Sequence, residues 1–215
     1  MIERLSFFGS SFIGIFALAT DEICLCRNDL ERTKKIEEVL GCEVLKTTVG
    51  SSDFLGVLCA GNSSGILCPY FTLKEEIETV KDYVDIKRFP SKYTALGNLI
   101  LANDRGCLAS PILKSKIKFI SDVLDVEVEF SKIAKHHTVG SCGIATNKVA
   151  YLHPEATLGE KERVSEILKV PVELVTVNAG VFYLSSSMLA NSNGVITGEL
   201  TTGYELSRIE DAFLG

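Results

Sequence analysis

A chain of 215 residues with 46% hydrophobic and 23% charged side chains has an ordinary globular composition, long enough to bury one or two cores without disulfide staples. Its formal charge of −6 excludes a sequence-independent grip on phosphate backbones, which needs clustered Lys and Arg, so no DNA partner is expected. No apolar run approaches the roughly 20 residues of a membrane helix and no leader is evident, so a soluble, cytoplasmic protein with no membrane partner is expected.

Taken in chain order, the residues repeat. Two marks six positions apart recur as Gly14 and Thr20, Gly56 and Asn62, Gly97 and Asn103, Ser141 and Asn147, and Ser185 and Asn191. The period is about 41–44 residues, a signature of repeated structural units. A strand-like segment, Glu3–Phe8, precedes the first unit. Within each unit an apolar strand runs into a turn marked by Asn or Thr, with Gly65, Gly106 or Gly194 three positions on in three units. Asn and Gly at such turns suit positive φ. A second short strand is stopped by Pro69, Pro111 or Pro154, and an amphipathic helix follows. Leu73, Ile77, Val80 and Val84 form one apolar stripe, and Leu113, Ile117, Ile120 and Leu124 another. Weaker stripes are Ile36, Val39 and Leu40 in the first unit and Val164, Ile167 and Leu168 in the fourth.

Trailing strands are expected at Cys42–Thr48, Ile86–Phe89, Val126–Phe130 and Val170–Val175. The fifth helix opens with the capping box Thr202-Gly203-Tyr204-Glu205 and buries Leu206, Ile209 and Phe213. No strand follows it, so Glu3–Phe8 is expected to complete the last unit and close the ring, which removes a raw sheet edge. The fold class that follows is α/β: five small sheets around an axis with helices outside, in one domain spanning 1–215.

Together Gly14, Gly56, Thr94-Ala95-Leu96-Gly97-Asn98, Asn103-Asp104, Thr138-Val139-Gly140-Ser141, Thr146-Asn147, His153-Pro154, Thr176-Val177-Asn178 and Thr201-Thr202-Gly203-Tyr204-Glu205-Leu206 resemble the translation initiation factor 6 family, in its short archaeal form. The resemblance runs over essentially the whole chain. It implies the pentein fold, a five-bladed α-β propeller, in agreement with the repeats. It also implies a factor that binds the joining face of the large ribosomal subunit, on a ribosomal protein beside the sarcin-ricin loop, with rRNA as a further candidate contact. There such a factor blocks association with the small subunit, and eukaryotic members also serve large-subunit biogenesis. Asn98 matches an asparagine of the family's binding face. By repeat equivalence Gly14, Gly56, Gly97 and Ser141 should line the same face. Val57 and Cys142 depart from the Arg and Tyr usual in eukaryotic members, so contacts at those two units need not be shared. A monomer without cofactor is expected.

Penteins also include guanidino-group hydrolases and transferases that use a Cys nucleophile and a His base. Cys142, between His136-His137 and His153, is the one cysteine here near histidines in sequence, whereas those enzymes place theirs late in the chain. A buried thiol is the preferred reading, with no catalytic residue. The seven cysteines form no C-x-x-C pair, and Cys24 and Cys26 share one strand face, which suits core packing better than metal. His136-His137 are adjacent and lack a further ligand at metal spacing, so no metal site is expected. Residues 86–137 carry 9 basic against 5 acidic side chains inside an otherwise acidic chain. That sector either meets RNA locally or is scatter.

Overall fold

A computed structural model describes residues Met1–Gly215 as five three-stranded sheets with helices between them. The strands in chain order are β1 (Ile2–Leu5), β2 (Ala17–Ala19), β3 (Ile23–Cys26), β4 (Glu43–Lys46), β5 (Ala60–Gly61), β6 (Ile66–Pro69), β7 (Ile86–Phe89), β8 (Ile100–Ala102), β9 (Cys107–Ala109), β10 (Val128–Phe130), β11 (Gly143–Ala145), β12 (Ala150–Leu152), β13 (Val172–Leu174), β14 (Met188–Ala190) and β15 (Val195–Gly198). In each of the first four units the first two strands pair antiparallel and the third returns parallel to the second. A parallel return needs a crossover, and the amphipathic helix supplies it. The longest helices are α1 (Thr33–Leu40), α5 (Ile117–Leu124), α6 (Leu158–Leu168) and α7 (Gly203–Leu214), and α2 (Leu55–Leu58), α3 (Lys74–Glu78) and α4 (Leu96–Leu99) are each little more than one turn.

The fifth sheet takes its third strand from the other end of the chain. β1 runs parallel to β15, Ile2 opposite Val195 and Leu5 opposite Gly198, as the missing trailing strand requires. The strand itself is shorter than Glu3–Phe8, because Phe7 and Ser10 already bridge across a tight loop. The other trailing strands lie within the expected ranges. Two helix stripes are narrower than their apolar spacing predicts: Leu73 and Ile117 are exposed, the first because it sits at the N-cap of α3, the second because a 3-10 turn over Pro111–Lys116 rotates the start of α5. Leu206 is only half-buried, and the inward position beside it is taken by Glu205.

The apolar side chains collect into five clusters, each drawn from two successive units. One joins β1 and the fifth unit to the first: Leu5, Phe7, Leu189 and Ile196 pack with Ile13, Cys24, Ile36 and Leu40. All seven cysteines are buried, and Cys24 and Cys26 lie together in that cluster. No helix is long and apolar enough to cross a membrane.

The turn glycines behave otherwise than their turn chemistry suggests. Neither Asn62, Asn103 and Asn191 nor Gly65, Gly106 and Gly194 adopt positive φ. A Cβ at Gly65 would run into the backbone carbonyl of Val123, at Gly106 into that of Ile167, and at Gly194 into that of Val39. Each glycine faces the helix of the following unit. It is the close approach of that backbone, not the local dihedral, that excludes a side chain here.

Candidate functional site

Each unit enters its first strand through a single helical turn: Ile13–Ile15, Leu55–Leu58, Leu96–Leu99 and Leu184–Ser186, with Thr138–Cys142 making the corresponding turn in the fourth unit. The repeated Gly therefore sits in a turn before the strand and not within it. A Cβ at Gly56 would collide with the carbonyl of Gly14, one at Gly97 with that of Gly56, one at Gly140 with that of Gly97, and one at Gly14 with that of Ser185. These glycines let successive turns stack backbone on backbone.

This stacking corrects the register of the fourth unit by one residue. Gly140, not Ser141, is the counterpart of Gly97, and Thr146, not Asn147, is the counterpart of Asn103. The pattern Thr138-Val139-Gly140-Ser141 contains both alternatives, and only contact with the neighbouring unit separates them. Ser141 is consequently the counterpart of Asn98. With Ile15, Val57 and Ser186 it completes a set of five half-buried side chains, one from each unit.

Those five side chains converge. Ile15, Val57, Asn98, Ser141 and Ser186 line one depression of about 290 Å3, together with Gly14, Gly56, Ser185, Phe12 and Tyr183. Gly97 does not line it but borders a second cavity of about 70 Å3 with Gly14, Gly56, Gly140, Ala19, Ala102 and Ala145. The structure thus brings Gly14, Gly56, Asn98 and Ser141 to one depression and leaves Gly97 on the neighbouring one. Sequence reasoning missed Ile15, Ser186 and the exposed aromatics Phe12, Phe54 and Tyr183, which cap the helical turns two residues ahead of Gly14, Gly56 and Ser185. An aromatic residue at that fixed offset in three of five units was a usable signal.

The depression contains no charged side chain. Its polar groups are the Asn98 amide and the hydroxyls of Ser141, Tyr183, Ser185 and Ser186. The Asn98 backbone is engaged, its carbonyl accepting the amides of Gly140 at 3.0 Å and Ser141 at 3.3 Å, whereas its side chain makes no hydrogen bond within the protein. A neutral surface with an uncommitted amide and an aromatic rim suits docking of a folded partner.

His153 lies across from Cys142, its amide donating to the Cys142 carbonyl at 2.7 Å, but its imidazole makes no hydrogen bond to the Cys142 thiol. Burial pushes the Cys142 pKa up to about 11, with the charge of Glu160 adding to the effect, so the thiol stays protonated. Its sulfur lies 3.9 Å from the carbonyl of Ile133. His153 is buried, and burial, then the neighbouring His136, lowers its pKa. Its Nδ1 accepts the amide of Glu155 at 3.1 Å, and its ring packs against Phe182 with centroids 4.8 Å apart. His136 and His153 stack at 5.5 Å, and no group of three or more His, Cys, Asp or Glu side chains is arranged to hold a metal ion.

Comparison with known proteins agrees with the repeat and the turns. Residues 2–212 match the model of the eIF-6 family. The chain is similar to translation initiation factor 6 of Pyrococcus abyssi, with 46% identity over 221 residues that cover 98% of this chain and 97% of that protein. Its similarity to translation initiation factor 6 of Methanocaldococcus jannaschii is 40% over 222 residues, covering 99% and 97%. With the Methanosarcina mazei factor it is 37% over 215 residues, covering 99% and 98%. A likeness that spans every unit, at such identity, establishes descent: the chain belongs to the eIF-6 family of translation initiation factors.

Proposed function

We propose that this translation factor binds the large ribosomal subunit on its joining face and sterically prevents association with the small subunit. Its ring of five units is read as a closed pentein propeller of one domain, acting as a monomer in the cytoplasm without catalysis. The pairing of β1 with β15 and the apolar cluster shared by the fifth and first units support closure. A rigid disc seated on the joining face excludes the small subunit by bulk, so only affinity is needed. The partner is a ribosomal protein beside the sarcin-ricin loop, with rRNA within reach of the basic sector 86–137. Burial of Cys142 weighs against a guanidino hydrolase.

The observation that carries the docking face is Asn98: a half-buried amide with no internal partner, at the convergence of five equivalent turns. The test is sedimentation with purified subunits. The protein should travel with large subunits and not with small ones, and should lower the yield of joined ribosomes as its occupancy rises. Asn98→Ala should weaken large-subunit binding by roughly 0.5–2 kcal/mol with unchanged melting. Equal binding to both subunits would overturn the reading, and parent-like affinity in Asn98→Ala would move the site to another face.

A further inference from the structure

Four of the five units follow their last strand with a tight loop, bridged at Phe7 and Ser10, Val49 and Ser52, Ile133 and His136, and Val177 and Val181. Two of these loops enclose a carboxylate sent from the next helix. Glu76 accepts the Thr48 hydroxyl at 2.5 Å and the amides of Gly50 at 2.7 Å, Ser51 at 2.8 Å and Leu73 at 2.8 Å. Glu205 accepts the Thr176 hydroxyl at 2.7 Å and the amides of Thr202 at 2.8 Å, Gly180 at 2.9 Å and Ala179 at 3.1 Å. In both helices the glutamate stands three residues after the N-cap. In the fourth unit Lys132 replaces the hydroxyl, and Glu160 bonds only its own cap residue Thr157.

The loop after β1 has a hydroxyl and two loop amides in the same places and no carboxylate. Phe8 and Gly9, with φ of 55° and 73°, take the places of Gly50 and Ser51, with φ of 59° and 62°. Ser6 stands where Thr48 and Thr176 stand, and Arg32, four residues before the buried Ile36, stands where Glu76 and Glu205 stand, four before the buried Val80 and Ile209. A cavity of about 270 Å3 opens there, lined by Ser6, Phe8, Gly9, Glu31 and Arg32 among others. The Ser6 hydroxyl and the Phe8 and Gly9 amides donate no hydrogen bond within the protein, and Arg32 forms no ion pair.

We propose that this cavity is a carboxylate-binding site, and that an acidic side chain of the ribosomal-protein partner fills it in the docked complex. The chemistry follows from the two filled copies. There the two oxygens of one carboxylate divide a hydroxyl and three amides between them, a pattern that suits a planar, two-oxygen anion. Arg32 adds a formal positive charge that neither filled copy has at this position. The position follows from the chain: the loop runs directly into Phe12, which lines the depression around Asn98. Phe8, exposed beside the cavity, lies under the Arg27 guanidinium at 4.0 Å and meets Phe16 edge-on at 5.6 Å. The identity of the occupant rests on the docking reading above; the site itself does not.

The experiment is an amide-resolved NMR titration of the intact protein with sodium acetate, against sodium chloride at matched ionic strength. Saturable shifts should appear at Phe8 and Gly9 and be absent at Gly50, Ser51, Ala179 and Gly180, which Glu76 and Glu205 already occupy. Ser6→Ala and Arg32→Ala should each weaken acetate binding roughly three- to tenfold and large-subunit binding in parallel. No saturable shift in the parent overturns the site. Shifts that appear only in Glu31→Gln show that the chain's own carboxylate fills it, which also overturns it. Saturation by inorganic phosphate but not by acetate overturns the carboxylate assignment in favour of nucleic acid. Loss of acetate binding in both variants with parental subunit affinity overturns the role in docking, provided Asn98→Ala weakens that affinity. If the parent fails to bind large subunits at all, the docking reading and this occupant fall together while the acetate result still decides the site.

Discussion

Asn62 and Asn103 hold the same place in successive units, and the side-chain amide of Asn62 donates to the backbone carbonyl of Asn103 at 3.0 Å. The same amide reaches the carbonyl of Leu124, at the end of the next unit's helix, at 2.8 Å. Asn103 repeats the move onto Thr146 and Leu168, and Asn191 repeats it onto Thr20 and Leu40. Each Asn oxygen meanwhile accepts two amides of its own turn, as Asn103 does from Arg105 and Gly106. One side chain thus shapes a turn and ties it to the neighbouring unit.

Asn103→Ala should therefore cost far more than a turn substitution. It removes two bonds to the next unit and leaves two buried carbonyls and two turn amides without partners, at about 1 kcal/mol or more each. A loss of roughly 3–5 kcal/mol in urea unfolding is expected. A loss below about 1 kcal/mol would show that water replaces the amide and that the units are held by apolar contact alone.

The seam between β1 and β15 is the place where the two ends of the chain meet. Phe7 is buried to 1% exposure in the cluster shared by the fifth and first units. Phe7→Ala should destabilise by roughly 3–5 kcal/mol through lost burial and the cavity left behind. Deleting residues 1–8 should lower the melting temperature further and promote self-association through the bared edge of β15. Unchanged melting in a monomeric truncated protein would contradict this seam.

Glu76 and Glu205 govern stability in acid. Burial by itself would raise the Glu76 pKa, but the Thr48 hydroxyl and the amides of Ser51, Leu73 and Gly50 pull it below the ordinary carboxylate value. For Glu205 the same contest, with donors Thr202, Thr176 and Gly180, has the same outcome. A carboxyl whose folded pKa lies below its unfolded one stabilises fully above the unfolded value, about 4.3, and loses that stabilisation as pH falls through the folded value. Unfolding measured from pH 7 to pH 3 should show a steeper acid decline in the parent than in Glu76→Gln. The variant should be about 2 kcal/mol less stable at pH 7, because a neutral amide offers one acceptor where four donors converge. Parallel profiles would contradict this assignment.

Thiol reactivity should be silent in the native state. Burial raises Cys26 and Cys142 to about 11 and Cys42 and Cys107 to about 12, and holds Cys24, Cys59 and Cys68 above the ordinary thiol range as well. Thiolate is the reactive form, so an aromatic disulfide reagent at neutral pH should modify none of the seven until denaturant is added. Rapid modification of Cys142 in the folded protein would revive it as a nucleophile.

The repeat, the strand-helix alternation and the demand for a strand from the N-terminus were legible because each is local or arithmetic. Apolar positions at fixed offsets mark Val80 and Val84 or Ile120 and Leu124 as inward whatever surrounds them, and a fifth helix with no strand after it leaves one partner unaccounted for. The capping box at Thr202 and Glu205 was equally visible. What its carboxylate also does, closing the loop at Ala179 and Gly180, was not, since those residues lie in the preceding unit.

By itself the sequence determined that five similar units exist and that Asn98 belongs to a repeated turn. Tertiary structure alone decided that Gly140 and not Ser141 stacks under Gly97, that Gly65 and Gly106 are needed for a neighbour's backbone and not for their own φ, and that the loop at Phe8 and Gly9 lacks the carboxylate that the loops at Gly50 and Gly180 hold. The physical reason is common to all three. The group that makes each residue necessary is a backbone carbonyl or amide from another unit, and backbone groups are the same in every residue, so they leave no mark in the local pattern of side chains.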